Sequence, residues 1–159
     1  SVQSGYFNFS MPEPTGVVTI LLPDELPMLA FVSRLCPVIV SGNSCIIIAS
    51  ETAPLPALTF SEIAATSDVP GGVINILTGS KKEIIPHLAG HMDVNSFDYA
   101  DINSSYKKDV QTASANNVKR FVYSALRNSA EYYNDDLSEN IMQVQDFVEI
   151  KTVWHTMGL

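Results

Sequence analysis

The stretch Gly16-Val17-Val18-Thr19-Ile20-Leu21-Leu22, bounded by Pro14-Thr15 and by Pro23-Asp24, decides the fold. It is a continuous apolar run too short for a helix, the pattern of a strand covered on both faces. Outward from it, Pro27 opens a helical pattern with Met28, Phe31/Val32, Leu35 and Ile39 on one face, ending at Ser41-Gly42-Asn43. Cys45-Ile46-Ile47-Ile48-Ala49 repeats the buried-strand pattern. A second helix is predicted from about Pro54 to Thr66, with Leu55, Leu58/Thr59, Ile63 and Ala64 at helical spacing. Val69-Pro70-Gly71-Gly72 is a turn, and Val73-Ile74-Asn75-Ile76-Leu77 is a third strand. Strands alternating with helices of this length predict a parallel sheet built from right-handed βαβ units.

Further along, Ser80-Lys81-Lys82-Glu83 has the spacing of a capping box and starts a third helix. Pro86 should kink or shorten that helix, and Gly90 should end it. Met92 to Tyr99 reads as a weaker fourth strand, about Ser104 to Ala115 as a polar helix, and Asn117 to Tyr123 as a fifth strand. Ser124 to Asn140, carrying Asn128, Asn134, Asp135 and Asp136, predicts a short helix and an acidic loop. At the two ends alternation replaces continuous apolarity. Phe7, Phe9 and Met11 fall on one face of the first segment, with Tyr6, Asn8 and Ser10 on the other. In the last, Val148, Ile150, Thr152 and Trp154 alternate with Phe147, Glu149, Lys151 and Val153.

At 159 residues the chain fits one domain and can bury roughly two-thirds of its unfolded surface. An apolar content of 46 % argues against disorder, and a net charge of −8 argues against nucleic-acid partners. Before residue 81 the only basic side chain is Arg34, as suits a front half that is mostly interior. No apolar run approaches the ~18 residues needed to cross a bilayer, and no basic-then-apolar signal opens the chain. A cytoplasmic location without membrane partners is the expectation. Cys36 and Cys45 are too few for a disulfide framework and read as buried small hydrophobes. His87 and His91 are four apart with Asp93 close by, but a metal site needs a third ligand and a second shell, so none is expected. Asn8-Phe9-Ser10 and Asn103-Ser104-Ser105 match the glycosylation acceptor pattern, for which chance is the better explanation in a cysteine-poor chain.

Four segments follow one another in an order that resembles the nucleotide-binding domain of the aldehyde dehydrogenases. They are Pro23-Asp24-Glu25-Leu26-Pro27, Gly42-Asn43-Ser44, Ser50-Glu51-Thr52-Ala53-Pro54-Leu55, and Pro70-Gly71-Gly72-Val73-Ile74-Asn75-Ile76-Leu77-Thr78-Gly79. The resemblance implies an α/β fold: a Rossmann-like parallel sheet with helices on both faces, plus an extended β arm formed by the two chain ends. It implies an oligomerisation-type arm over residues 1–14, a nucleotide-binding domain over 15–140 and a closing strand of the same arm over 147–155. The alternative, less favoured than the arm because long edges need cover, is an edge strand of the main sheet. In the family a catalytic domain lies between the nucleotide-binding domain and a strand like Phe147–Trp154; here some twenty residues separate Tyr123 from it, so that domain is expected to be missing.

Family members oxidise an aldehyde through a cysteine thiolate, a glutamate base and an asparagine amide that helps hold the oxyanion. Neither Cys36 nor Cys45 lies in a matching motif, Tyr123-Ser124-Ala125-Leu126 stands where Glu-Leu-Gly-Gly would carry the base, and Glu25 takes the asparagine position. No catalytic residue is therefore expected. The resemblance implies Leu21, Leu22, Pro23, Asp24, Ser50, Glu51 and Gly79 as vestigial cofactor-binding residues. Ile48 replaces the lysine that reaches the adenosine ribose, and Asp101-Ile102 the Gly-Ser beneath the pyrophosphate. An aspartate there opposes a phosphate at a helix N-terminus. The cofactor expected is none, or weakly bound NAD(P). The function implied is a non-catalytic assembly or interaction module, a homo-oligomer or a complex with a full-length homologue. Phe7, Phe9, Met11, Val148, Ile150 and Trp154 would make the contact. The alternative is the NAD-binding part of an aldehyde oxidoreductase whose catalytic domain comes from a partner or from the rest of a longer chain.

Overall fold

The computed structural model describes residues 6–101, 104–124, 126 and 128–156. Its elements run β1 (Tyr6–Pro14), β2 (Val17–Leu21), α1 (Leu29–Val40), β3 (Ser44–Ile48), α2 (Leu55–Ala65), β4 (Ile74–Leu77), α3 (Lys81–Gly90) and β5 (Ser96–Tyr99). After these come α4 (Lys107–Asn116), β6 (Arg120–Tyr123), the short α5 (Ser129–Tyr132) and α6 (Asp135–Ser138), a 3-10 helix (Ile141–Phe147) and β7 (Val148–Thr156). Five strands form a parallel sheet in the order β4-β3-β2-β5-β6. The apolar run Val17–Leu21 is its centre.

Both faces of β2 are buried, as its lack of alternation requires. Val18, Ile20 and Leu22 pack with Phe31, Leu35 and Val38 of α1. Leu21 packs with Ile85 and Ala89 of α3 and Val110 of α4. The turn into β2 depends on Gly16, whose φ of +127° is closed to other residues. A side chain at Gly16 would collide with Asn95, whose Oδ1 accepts the Val17 N–H at 2.8 Å.

The face α1 buries is not quite the expected one. Met28 and Val32 are exposed, while Arg34 is 1 % exposed in the middle of the inner face. The reason stands on β5: Asp98, fully buried, accepts Arg34 Nε at 2.8 Å and Nη2 at 2.9 Å. Burial works against the guanidinium charge, but the Asp98 carboxylate outweighs it and holds Arg34 above its ordinary range. Arg34 Nη1 also donates to Gln143 Oε1 at 2.7 Å, which ties the 3-10 helix to the sheet.

Several other expectations need correction. In α2, Leu55, Leu58 and Ile63 face outward and the buried position is Ala57, because this helix lies at the margin beside the edge strand β4. The capping box at Ser80 does not form: its side chain makes no cap bond, and the Lys81 N–H donates to Glu51 Oε2 at 3.1 Å instead. Pro86 sits inside α3 without ending it. The fourth strand is only Ser96–Tyr99, and His91 lies past the end of α3 in an extended conformation, off the helical face of His87. Among the described residues no cluster of three or more His, Cys, Asp or Glu could hold a metal. Cys36 is exposed, not buried, since α1 turns it outward; Cys45 is buried as expected. The acidic loop is two short helices followed by a 3-10 turn that seats Phe147 in the core.

β1 and β7 pair with each other as an antiparallel ribbon from Tyr6↔Thr156 to Pro14↔Val148, so the edge-strand alternative does not hold. The register sets the two apolar stripes on opposite faces. Directly opposite residues share a face, so Phe7, Phe9 and Met11 lie with His155, Val153 and Lys151. Val148, Ile150 and Trp154 lie on the other side, with Pro14, Pro12 and Asn8. Phe7 is 55 % and Trp154 65 % exposed. The ribbon is fastened at its root, where Asn43 Nδ2 donates to Phe147 O at 2.9 Å and Arg120 Nη1 to Val148 O at 2.8 Å.

Candidate cofactor crevice

The chain passes from β2 to β3 and β4 on one side, then returns to place β5 on the other flank of β2. Strand order therefore reverses between β2 and β5, and open parallel sheets form their ligand crevices outside the carboxyl ends of such strands. A cavity of about 300 Å³ lies there, lined by Pro23, Asp24, Glu25, Glu51, Lys81, Asp101, Ser104 and Tyr106. Each side chain arrives from the end of a strand or the start of the next element. Asp24 follows β2, Glu51 follows β3, Lys81 opens α3, and Asp101 follows β5.

Lys81 was not foreseen and is central. It is 3 % exposed, and its Nζ lies 2.8 Å from Asp101 Oδ2 and 3.0 Å from Asp24 Oδ1. It bridges the two strands that flank the reversal. Asp24 Oδ1 also accepts the Glu51 N–H at 2.6 Å. Partial burial disfavours the Asp24 carboxylate, but hydrogen bonds from Lys81 and the Glu51 amide outweigh it and hold its pKa below the ordinary value. No sequence rule singles out Lys81 over Lys82. The first residue of α3 points inward only because of where the sheet sets that helix.

The expected cofactor residues divide into two groups. Pro23, Asp24 and Glu51 line the cavity; Leu21, Leu22, Ser50 and Gly79 do not. Leu21 and Leu22 are buried, and the Leu21 carbonyl accepts the Ala100 and Asp101 N–H groups at 3.1 Å. Ser50 Oγ accepts the Ala53 N–H at 3.0 Å. Ile48, in the lysine position, is packed against Leu21, Ile85 and Phe97 and offers the crevice no polar atom. Asp101 is not the bare opposing charge expected from sequence, because Lys81 neutralises it. Glu25 accepts Ser129 Oγ at 3.0 Å. Ile102, Asn103 and Ala125 lie outside the described residues.

The model of the Aldehyde dehydrogenase family matches residues 1–130. The chain belongs to the aldehyde dehydrogenase family. It is 29 % identical over 114 residues to aldehyde dehydrogenase family 2 member C4 of Arabidopsis thaliana, covering 72 % of this chain and 23 % of that protein. It is 32 % identical over 108 residues to the NADP/NAD-dependent aldehyde dehydrogenase PuuC of Escherichia coli, covering 68 % and 22 %. Among solved structures, a betaine aldehyde dehydrogenase of Staphylococcus aureus in complex with NAD+ matches with a TM-score of 0.72 at 26 % identity, over 78 % of this chain and 25 % of that one. The chain thus spans about a quarter of the length of these aldehyde dehydrogenases. It carries their Rossmann-like α/β sheet, with a two-stranded ribbon from its ends. Among the described residues no helix is long and apolar enough to cross a membrane.

Tested against an NAD pyrophosphate, the crevice residues do not fit. Four carboxylates line the cavity against one ammonium. Among the described residues, three donors that could meet a phosphate already have protein acceptors: the Glu51 N–H and Lys81 Nζ on Asp24, and the Lys81 N–H on Glu51.

Proposed function

We propose that this aldehyde dehydrogenase family chain is a non-catalytic assembly or interaction module. In this reading it self-associates or docks on a full-length homologue in the cytoplasm, and no residue of it is catalytic. Residues 1–14 and 147–155 act as an oligomerisation arm on a nucleotide-binding-type body over residues 15–140. The observation that carries the reading is the ribbon. It is anchored at its root and bears Phe7, Phe9 and Met11 on one face and Ile150 and Trp154 on the other, all exposed. A two-stranded ribbon has no core of its own, and apolar residues bare on both faces are usual for a surface that another protein covers. Burying Trp154 alone removes ~150–250 Å² from water, worth several kcal/mol at ~25 cal/mol/Å².

Light scattering tests it. The intact chain should be oligomeric at micromolar concentration or form a defined complex with a full-length homologue, and Phe9→Ser with Trp154→Ser should abolish this without unfolding the body. An intact chain that stays monomeric and passes the homologue by overturns the reading.

A second reading is favoured by the coverage of only a quarter of the relatives' length. The chain would be the NAD(P)-binding part of an aldehyde oxidoreductase completed by a partner or by the rest of a longer polypeptide. Asp24, Glu51 and the other positions expected from the resemblance would then hold the cofactor only once the Lys81 ion pairs had given way. Tight NAD binding by the isolated chain would favour this reading over the first.

A further inference from the structure

We infer that the switch-point crevice is latched from within: the carboxylates of Asp24, Glu51 and Asp101 take the places of a ligand's phosphates, and Lys81 is the bolt that excludes a dinucleotide. An anion at a helix N-terminus is favoured by the exposed N–H groups there. At α3 that anion is supplied by the protein, since Glu51 Oε2 accepts the N–H of Lys81, the first residue of the helix. A basic side chain in the cleft would serve a pyrophosphate as well, but Lys81 Nζ is held between Asp24 and Asp101. A dinucleotide would have to break both ion pairs and then sit among carboxylates it cannot pair with.

The latch spans the reversal of strand order, tying the loop after β2 to the loop after β5 through the start of α3. It therefore also fixes the relative positions of the loops it joins. Removing the two aspartate charges should convert the site. Lys81, 3 % exposed, would become a buried cation without a counter-charge, and an incoming phosphate would satisfy it.

The experiment is calorimetric titration of NAD, and separately of inorganic pyrophosphate, into the full chain and its Asp24→Asn/Asp101→Asn variant. The wild type should take up neither ligand at concentrations up to about 1 mM, the weak end of the affinity scale. The double variant should bind both at least about tenfold more tightly, the scale of one charged hydrogen bond. Adding Lys81→Met to it should remove the gain. Micromolar binding of NAD by the wild type overturns the latch, as does a folded double variant with no gain. If the double variant does not melt cooperatively, Asp24→Asn alone decides. That aspartate is the exposed member of the triad, and a gain of several-fold supports the latch while none overturns it. Failure of the assembly reading appears in light scattering and leaves these titrations unaffected.

Discussion

The sheet and the ribbon of this chain use similar apolar residues to opposite ends. In the sheet, Ile20, Ile47 and Phe97 are fully buried between helices, and even the charges inside, Arg34 and Asp98, satisfy one another. In the ribbon, Phe7, Ile150 and Trp154 stand in solvent, and the cross-strand bonds that order it are polar, such as Ser10 Oγ to Thr152 Oγ1 at 2.7 Å and the Lys151–Glu13 ion pair. The sheet holds itself together. The ribbon is held by its root, by its hydrogen-bonded ladder and by the Phe7–Phe9 and Phe9–His155 ring contacts, and most of its apolar area stays bare until something covers it. The comparison predicts that substitutions of equal size will have very different costs in the two places.

The sharpest break comes at the buried ion pair. Arg34→Ala should destabilise the chain by about 3–5 kcal/mol in urea unfolding, because Asp98 is left buried and unpaired. Replacing both partners, Arg34→Met with Asp98→Leu, should cost much less. If the single and double variants lose the same amount, charge is not what matters at that position.

Next in size is a matched pair of isoleucines. Ile47→Ala in β3 should cost about 2–5 kcal/mol, the range for emptying a packed core site. Ile150→Ala in β7 should stay within about 0.5 kcal/mol for the isolated monomer, as at other exposed positions. Equal losses would mean that the ribbon is already covered in solution.

A smaller effect belongs to the crevice. The Asp24 pKa is depressed in the folded chain by Lys81 and the Glu51 amide. Its contribution is therefore present above the unfolded carboxylate value, near ~3.9, and is lost as pH falls through the folded pKa. Urea midpoints measured between about pH 5 and pH 3 should fall more for the wild type than for Asp24→Asn. A parallel fall would place the acid-sensitive group elsewhere.

The smallest effect sets surface against core without touching stability. Burial pushes the Cys45 thiol up to about 11, and it lies inside the sheet, whereas Cys36 is exposed on α1. Burial also raises Cys36, so it should alkylate slowly. Mass spectrometry after iodoacetamide at about pH 8 should find one adduct, on Cys36, in the native chain and two after unfolding. A native adduct on Cys45 would mean that β3 opens readily.

Pattern carries what depends on neighbours along the chain. Continuous apolar runs at Val17–Leu21 and Ser44–Ile48 match the middle of a covered parallel sheet, and alternation at both ends marks strands with one face different from the other. The order of the family-like segments told which sheet it would be. Pattern failed where burial depends on what lies across a gap. Apolar spacing in α2 did not say that this helix sits at the sheet margin, where Leu55 and Ile63 remain outside. Nor did a lone arginine in α1 say that Asp98, sixty-four residues on, would meet it.

The sequence by itself thus determined the βαβ order, the buried centre of the sheet and the existence of the terminal strands. Each of these is written in local periodicity or in residue identity. Only the tertiary structure decided that the terminal strands pair with their apolar stripes on opposite faces, that Arg34 is an interior residue, and that Lys81 locks the crevice between Asp24 and Asp101. Those are matters of register and of charge meeting charge across long separations, and a one-residue slip or a small rotation of α3 would change them without altering any pattern along the chain.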